Sequence, residues 1–326
     1  MYAMAQNSRV GVVVVTSNHR EVVGALLRGF ERSEEPVSIT IVDQASSDGT
    51  SSWLRETFPS VMGFRNFHDV GTARALNQGV AFTLSKWTAT DFPFRYVVFT
   101  TPDAVWQESA IATCTRIMDS DRTVMAVCPL VLQRTMIDSD SEDDLLSDRI
   151  VSAGAERTLA RRIRDRKNGE LLDALPEIEE IYCGSRRAIV VRASVFTECD
   201  EGDKHWFNVR FPNEVVDTDF FWRMQSRGLK TVCASNARVS VRALSELKQR
   251  TKRSEQDDAR GWRLLMWKNE RLSIRWKNGF SMLWAIIKDW LRGIIHPSRW
   301  KGVAIAWFER WSITRRKKTK SDTITT

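Results

Sequence analysis

Three aspartates lie where an apolar run of the sequence gives way to a turn or to a helix. Asp43 follows the run Ile39–Val42, Asp103 comes shortly after the run Tyr96–Thr100, and Asp217 stands at the start of a segment with helical character. A carboxylate in a cleft can accept a hydrogen bond from a nucleobase, hold Mg²⁺ or Mn²⁺ against phosphate groups, or remove a proton from a hydroxyl group. An aspartate at such a position is also an ordinary turn or cap residue, so the three have to be judged together.

The stretch Ile39–Thr50, ITIVDQASSDGT, predicts how the first of these carboxylates is positioned. Its apolar half is typical of a buried strand. The side chains of Ser46, Ser47 and Asp48 can then satisfy free backbone N–H groups at the start of a helix. Because ligands of α/β proteins bind at the carboxyl ends of parallel strands, we expect Asp43 at the ligand-binding edge of a sheet.

Short apolar runs alternate with amphipathic segments along the first 241 residues. This pattern predicts an α/β fold with a doubly wound, mixed and mainly parallel sheet flanked by helices. The predicted strands are Val10–Thr16, Ile39–Val42, Val61–Phe67, Tyr96–Thr100, Val124–Pro129, Tyr182–Arg192 and Thr231–Val241. The predicted helices are Val22–Phe30, Ser51–Phe58, Ala110–Met118 and Thr218–Arg227. Between residues 137 and 178 the pattern gives way to acidic and then basic residues, and we expect a mobile excursion over one face of the sheet.

The chain changes character at Arg242. From there to its end it carries 21 Lys and Arg against 8 Asp and Glu, together with eight of the 13 Trp residues. The net charge of the whole chain is +8, so the preceding part is mildly acidic. We therefore predict a main domain of residues 1–241 and a basic, Trp-rich helical extension of residues 242–326.

Two segments of this extension are amphipathic, Phe280–Ile295 and Val303–Trp311. Charged residues and a proline interrupt them too often for a membrane-spanning helix. Trp, Leu and Ile beside cations instead favour helices that lie in the lipid headgroup region, and the cluster Arg315–Lys320 would be attracted to anionic lipid. We expect a peripheral protein on the cytoplasmic face of a membrane. The alternative is a helical pair packed on the main domain with a solvated tail.

Several other classes of protein are disfavoured by missing motifs. The five cysteines are scattered and lack metal-type spacing, which predicts reduced, mostly buried thiols in a cytosolic protein. The four histidines show no zinc-site spacing, and neither a GxGxxG fingerprint nor a GxSxG nucleophile elbow is present. No nucleic-acid recognition motif accompanies the basic end.

Six segments taken in order resemble the family 2 glycosyltransferases of the GT-A fold, over roughly residues 9–241. They are VVVVTSNHR, IVDQASSDGT, GTARALNQG, FTTPDA, YCGSRRAIVVR and VVDTDFFWRMQSRG. The sequence VDT at Val216–Thr218 and the later WKNERLSIR also resemble the rhamnosyltransferase branch of that family.

The resemblance implies a role for each of eight residues. Thr16, Asn18 and Asp43 would hold the nucleotide, and Gly71 and Asn77 would belong to a nucleotide-side loop and helix. Asp103 would face the diphosphate and a divalent cation (Mg²⁺ or Mn²⁺). Asp217 would be the general base, and Arg223 would lie on the helix behind it. One carboxylate on each face of the sugar predicts a single displacement with inversion at the anomeric carbon.

The sequence departs from the family at two places near the expected metal. Thr101 and Pro102 precede Asp103, where the family often has a second acidic residue. The histidine that many members carry after the last strand is absent from Val239–Arg242. Tight binding of a metal is therefore left open, and Arg74, Arg186 or Arg187 would be alternative sources of positive charge.

Together these observations predict an inverting transferase that moves a sugar from a nucleotide-diphospho-sugar to a glycan or lipid-linked glycan acceptor. The donor would be dTDP-rhamnose or a UDP-sugar. A non-catalytic subunit that binds nucleotide-sugars or serves as a scaffold in a glycan assembly complex is the alternative.

Overall fold

The computed structural model describes most of the main domain and three helices of the C-terminal extension. The described residues are 8–135, 145–158, 162–173, 175–185, 187–202, 204–213, 215–242, 252–269 and 279–314. The strands are β1 Val10–Thr16, β2 Val37–Asp43, β3 Met62–Arg65, β4 Tyr96–Thr100, β5 Val105–Trp106, β6 Val124–Thr135, β7 Leu145–Ser152, β8 Ala155–Arg157, β9 Ile163–Asp165, β10 Ile178–Ile181, β11 Ala188–Arg192 and β12 Lys230–Arg242. The helices are α1 Arg20–Glu31, α2 Thr50–Thr57, α3 Thr72–Leu84, α4 Ala110–Ser120, α5 Val195–Glu198, α6 Val216–Ser226, α7 Lys252–Asn269, α8 Gly279–Ile295 and α9 Ser298–Thr314.

One mixed sheet organises the main domain. Its strands follow the order β10-β12-β6-β11-β4-β1-β2-β3, with β5 paired to β12 and β7 paired to β6. The run β4-β1-β2-β3 is parallel, and so is the pair β12-β6, whereas β11 runs antiparallel between β4 and β6. The predicted α/β fold with a mixed, mainly parallel sheet is confirmed.

Alternate residues of β1 face two different hydrophobic cores, as expected for a central strand covered on both sides. On one face Val12 belongs to the same buried cluster as residues of α1, α2 and α4. On the other face Val13 belongs to a cluster with residues of α3, α5, α6 and α7. The continuous apolar run of β1 follows from this double burial.

Two glycines, Gly11 of β1 and Gly79 of α3, allow the helix to pack closely against the strand. A Cβ added to Gly11 would lie 2.2 Å from a side-chain carbon of Thr83, and one added to Gly79 would lie 2.5 Å from a side-chain carbon of Val13. Larger residues at either position would push α3 away from the sheet. The close packing holds the start of α3 next to the carboxyl edge of β1.

Parts of the charged region between residues 137 and 178 form strands, namely β7, β8, β9 and the start of β10, where we predicted a mobile excursion. β8 and β9 form an antiparallel hairpin, and the backbone N–H of Ala155 donates to the carbonyl of Cys183 at 2.8 Å. Charges pair across the hairpin, as in Arg164–Glu156 at 2.6 Å. Such cross-strand pairs stabilise a sheet, yet in sequence they look like a solvated loop. Residues 136–144 and 159–161 lie outside the described part.

Helices α7 and α9 pack against each other and against the main domain. The guanidinium of Arg299, 1% exposed, forms ion pairs with Glu255 and, at 2.8 Å, with Asp258. Apolar residues of both helices (Leu264, Leu265 and Ala306) join the same core as α3 and α6. Part of the extension is therefore packed against the main domain.

Helix α8 presents a different surface. Its apolar side chains are exposed along several turns: Trp284, Ile286, Ile287, Trp290, Leu291, Ile294 and Ile295. Lys288 and Arg292 of the same helix are also exposed. None of the helices that the structure describes is long and apolar enough to cross a membrane. The cluster Arg315–Lys320 lies outside the described residues.

All five cysteines are buried and unpaired, as predicted from their scatter along the sequence. Burial raises the pKa of Cys128 well above that of an ordinary thiol, which keeps it protonated and unreactive.

Candidate active site

A cleft of about 1220 Å³ opens at the carboxyl ends of β1 and β4. The turn after β1, the turn after β4, the β8–β9 hairpin, the loop before β11 and the start of α6 all contribute to its wall. Of the residues selected from the sequence, Asn18, Asp103 and Asp217 line this cleft. Three segments separated by more than 80 residues from one another thus meet in one site.

The turn after β1 is locked to the turn after β2. Asn18 has a left-handed backbone conformation, with φ of 56°, and its Oδ1 accepts a hydrogen bond from the backbone N–H of Ser47 at 2.8 Å. Its own backbone N–H donates to Oγ of Ser46 at 2.9 Å. Asparagine tolerates this conformation better than most residues. The two turns therefore form one rigid edge of the cleft.

Asp48, which also lines the cleft, ties helices α1 and α2 to this edge. Its Oδ2 accepts from the backbone N–H of Arg20 at 3.1 Å, and its Oδ1 accepts from that of Thr50 at 3.0 Å. Burial opposes ionisation, but these hydrogen bonds outweigh it and hold the pKa of Asp48 below its ordinary value. One carboxylate thus caps the first turn of two helices.

Asp43 is positioned behind this edge and not on the wall of the cleft. Its side chain is 3% exposed and accepts hydrogen bonds from the hydroxyl groups of Ser46 and Ser51. Nε of Arg65 lies 3.6 Å from its Oδ2. In the structure Asp43 builds the turn, and a direct contact with a nucleotide stays a prediction.

Three further residues expected near a nucleotide are also placed outside the cleft lining. Thr16 is buried at the end of β1, where its carbonyl accepts a hydrogen bond from Gln44 at 2.8 Å. Gly71 precedes α3 with φ of 84°. Asn77 exchanges two hydrogen bonds with the backbone of Phe207, at 2.8 and 2.9 Å, so its amide joins α3 to that segment.

The sequence Thr101-Pro102-Asp103-Ala104 forms a tight turn directly after β4. The backbone N–H of Ala104 donates to the carbonyl of Thr101 at 3.1 Å, and Pro102 occupies the second position, where its fixed φ favours such a turn. The N–H of Thr101 donates to the carbonyl of Arg187 at 3.2 Å. The Thr-Pro pair that departs from the family therefore fixes Asp103 in the cleft.

The oxygen atoms near Asp103 fit a divalent cation only with help from a ligand. Within the described ranges no group of three or more His, Cys, Asp or Glu side chains could hold a metal ion. Asp103 offers one carboxylate, and Oγ1 of Thr101 is buried without a hydrogen-bond partner among the described residues. Mg²⁺ is often held by one or two carboxylates plus substrate phosphates. The site suits a cation that arrives with a phosphate-bearing ligand.

His19 lines the cleft as well, although the sequence pattern did not single it out for this site. Its Nδ1 accepts a hydrogen bond from the backbone N–H of Ser17 at 3.0 Å, so the neutral ring carries its proton on Nε2. Burial lowers the pKa of His19, and the nearby carboxylates of Asp103 and Asp48 oppose only part of that shift. At neutral pH His19 therefore offers a neutral N–H donor beside Asp103.

Asp217 lines the cleft from the start of α6. Two residues further on, Asp219 is fully buried and accepts hydrogen bonds from Lys268, Asn269 and Arg223, at 2.8, 3.0 and 3.2 Å. Burial alone would raise the pKa of Asp219, but the charges of Lys268 and Arg223 outweigh it and hold that pKa below its ordinary value. This buried network fixes the helix that presents Asp217.

Arg223 belongs to this network and not to the cleft wall. Its guanidinium is buried and donates to the carbonyl of Cys199 at 2.6 Å and to the carbonyl of Trp206. Sequence reasoning placed it on the helix behind Asp217, which is where it lies. Its hydrogen bonds give it a positioning role.

A second carboxylate, Asp165 of β9, lies close to Asp217. Its Oδ1 accepts a hydrogen bond from Oγ of Ser152 at 2.8 Å, and both Asp165 and Arg187 line the cleft. Burial raises the pKa of Asp165 and the negative charge of Asp217 adds to this, while Arg187 opposes it. Sequence reasoning missed Asp165 because it lies in the charged region. Arg186, considered with Arg187, lies outside the described residues.

The fold and this cleft define a glycosyltransferase of the GT-A class. More particularly, the chain belongs to glycosyl transferase family 2, whose family model matches residues 11–194. The match covers both turns of the first edge, Asp103 and Asp165. No curated protein sequence matches this chain.

Solved structures show the same fold at low sequence identity. The chain is similar to a mannosyltransferase from Pyrobaculum calidifontis in complex with GDP-Man and Mn²⁺, with a TM-score of 0.54 and 16% identity over 93% of this chain and 76% of that one. It is similar to GalNAc-T7 with UDP, GalNAc and Mn²⁺, with a TM-score of 0.54 and 13% identity over 81% of this chain and 48% of that one. It is also similar to residues 1–349 of TarS from S. aureus, with a TM-score of 0.51 and 12% identity over 84% of this chain and 70% of that one.

Proposed function

We propose that this protein transfers a sugar from a nucleotide-diphospho-sugar to a hydroxyl group of a glycan or lipid-linked glycan, with inversion at the anomeric carbon. The observation that carries the proposal is the joint presence of Asp103 and Asp217 in one cleft, on segments from the end of β4 and the start of α6. The family membership and the nucleotide-sugars bound to GT-A neighbours support it.

The rigid edge formed by Asn18 and the turn after β2 is the proposed nucleotide end of the cleft. Asp43 shapes this turn from behind, and Asp48 holds α1 and α2 around it. The diphosphate would then extend towards Asp103 and the Nε2–H of His19. Thr16, Gly71 and Asn77 would act by fixing β1 and α3 at this end.

A divalent cation held by Asp103 and the donor diphosphate would supply positive charge that stabilises the leaving group. Mn²⁺ in two of the similar structures supports a cation of this kind. His19 adds a neutral hydrogen-bond donor beside the same carboxylate.

Asp217 is the proposed general base. A hydroxyl group is a poor nucleophile, so a carboxylate must remove its proton as the new bond forms. An acceptor activated by Asp217 would attack from the face of the sugar away from the leaving group, and such an attack would invert the anomeric carbon. The neighbouring Asp165 would accept, and Arg187 would donate, hydrogen bonds to the other hydroxyl groups of the acceptor sugar.

We further propose rhamnose as the transferred sugar, from dTDP-rhamnose, with a UDP-sugar as the alternative donor. The support is the resemblance at Val216–Thr218 and at WKNERLSIR, which begins at Trp267. The structure brings these segments together, since Lys268 and Asn269 bind Asp219. Residues 270–275 of the second segment lie outside the described part.

A membrane surface is the proposed location. The exposed apolar side chains of α8 and the cations Lys288 and Arg292 suit a helix at the interface of an anionic leaflet. A lipid-linked acceptor would be presented at that surface. We propose the division into a catalytic domain of residues 1–241 and a membrane-binding extension of residues 242–326 on the same ground.

The proposal is tested by calorimetric titration of the purified protein with dTDP-rhamnose, UDP-sugars and GDP-sugars, with and without Mn²⁺. One donor should bind and be hydrolysed slowly without acceptor. The Asp217→Asn variant should bind that donor normally but transfer sugar at least about 100-fold more slowly, the usual scale for loss of a general base. Normal transfer by folded Asp217→Asn protein would refute the assignment of the base, and failure of every nucleotide-sugar to bind would refute the function.

A further inference from the structure

Arg242, the last residue of β12, carries a guanidinium that has no hydrogen-bond or ion-pair partner among the described residues. Its Nε is buried and has no hydrogen bond to any described residue. Neither of its Nη groups donates to a described side chain or carbonyl, and no carboxylate in the described part forms an ion pair with it. A buried guanidinium nitrogen left unpaired is costly, so its position calls for a ligand.

The sheet brings Arg242 to the same edge as Asp103. β12 pairs antiparallel with β5, with Val239 opposite Trp106 and Ser240 opposite Val105. Two residues further along, this register carries Arg242 towards Asp103, and both residues line the cleft. The cation and the carboxylate therefore enter the site from adjacent strands.

The guanidinium of Arg242 suits an anion better than an acceptor hydroxyl group. A planar guanidinium presents two parallel N–H groups, which match the oxygens of a phosphate group. Arg242 therefore offers a charged pair of hydrogen-bond donors at the proposed diphosphate position, beside the carboxylate of Asp103.

We propose that Arg242 binds the diphosphate of the nucleotide-sugar and stabilises its negative charge as the bond to the sugar breaks. This inference rests on the proposed function and assigns part of the leaving-group stabilisation to a residue of the protein. Arg242 stands at the strand end where the histidine of many family members is absent. It acts in addition to any cation held by Asp103.

The test compares nucleoside diphosphates with the matching monophosphates. UDP, dTDP and GDP, with UMP, dTMP and GMP, are titrated by calorimetry into the full chain, in EDTA and in Mn²⁺. In the wild type we expect the diphosphate of one base to bind more tightly than its monophosphate. Arg242→Met should weaken diphosphate binding about 10- to 100-fold and leave monophosphate binding within about twofold, because a charge-assisted hydrogen bond contributes on this scale.

Two further variants keep the result interpretable. Arg238→Met removes a cation four residues earlier on the same strand, at a position that does not line the cleft, and should bind both nucleotides as the wild type does. Arg242→Lys keeps the charge but loses the planar pair of donors, and should give a smaller loss than Arg242→Met. If folded Arg242→Met protein in EDTA still prefers the diphosphate over the monophosphate as strongly as the wild type does, the inference is overturned and the proposed function stays intact. Binding of no nucleotide by the wild type would overturn both.

Discussion

Lys268 of α7 donates a hydrogen bond to Oδ2 of Asp219 in α6 at 2.8 Å, and the carboxylate it contacts is fully buried. Asn269 donates to the other oxygen at 3.0 Å. Asp219 lies two residues after Asp217, in the first turn of the same helix. The helix that carries the proposed base is therefore held by the C-terminal extension, which sequence composition had set apart as a separate unit.

Replacing Asp219 by Asn should destabilise the protein by up to about 3–5 kcal/mol, because Lys268 and Arg223 would lose a fully buried counter-charge, although they would keep that of Glu201. Urea denaturation at pH 7 measures the loss. Lys268→Met keeps the Arg223 and Asn269 contacts to Asp219 and should cost less. Equal stability of Asp219→Asn and wild-type protein would show that the network contributes nothing to the fold.

The same pair predicts the pH dependence of stability. The pKa of Asp219 lies below its ordinary value of 3.8, so its stabilising contribution is present above about pH 4 and is lost as the pH falls through the lower, folded-state pKa. Asp219→Asn lacks this contribution at every pH. The difference in free energy of unfolding between the two proteins should therefore shrink below pH 4, and a difference that grows in acid would contradict this interpretation.

Asp103→Asn should remove the effect of Mn²⁺ on donor binding. If a cation bridges Asp103 and the diphosphate, EDTA weakens donor binding by the wild type, and the variant binds equally weakly with or without Mn²⁺. Titration of the donor found in the nucleotide-sugar screen provides the measurement. Asp121→Asn, which alters a half-exposed carboxylate outside the cleft, is the matched control. Wild-type donor binding that is unchanged in EDTA would exclude the bridging cation.

Asp165→Asn should lower the ratio of sugar transfer to the acceptor over hydrolysis of the donor by water. If Asp165 binds an acceptor hydroxyl group beside Asp217, its loss lowers the ratio of transfer to hydrolysis about tenfold, the scale of one hydrogen bond to a charged group. Octyl glycosides of glucose, galactose and N-acetylglucosamine serve as acceptor probes. Asp148→Asn, at an exposed position of β7, should keep the wild-type ratio. A ratio that stays at the wild-type value in Asp165→Asn protein would rule out the contact.

Trp290→Glu combined with Ile294→Glu should abolish binding to vesicles that contain anionic lipid. Both side chains are exposed, at 60% and 57%, and each apolar side chain that enters the interface contributes about 1.5–3 kcal/mol. Vesicle co-sedimentation measures the loss, and binding should also weaken with salt. Phe67→Glu alters an equally large exposed side chain on the main domain and should bind as before. Retained binding by the double variant would place the membrane contact elsewhere.

The local elements of the sheet could be predicted because their signals are local. The limits of β1 and β4 match the predicted runs Val10–Thr16 and Tyr96–Thr100, since strands buried on both faces need unbroken apolar sequence. Asp103 and Asp217 could be selected as site residues for a similar reason, because each lies at the boundary of a strand or helix. The β8–β9 hairpin was missed because paired charges resemble a solvated loop.

The sequence by itself determined the α/β class, the family, and the carboxylates at the ends of strands and helices. Only the tertiary structure decided which of them face the cleft. The side chain of Asp43 binds the hydroxyl groups of Ser46 and Ser51 behind the cleft. Asp165 of the β8–β9 hairpin and Arg242 of the last strand line the cleft instead. Side-chain direction depends on which partners the folded chain supplies, and those partners come from distant segments. The register of β12 against β5 brings Arg242 to the same edge of the sheet as Asp103, and this register exists only once the sheet has formed.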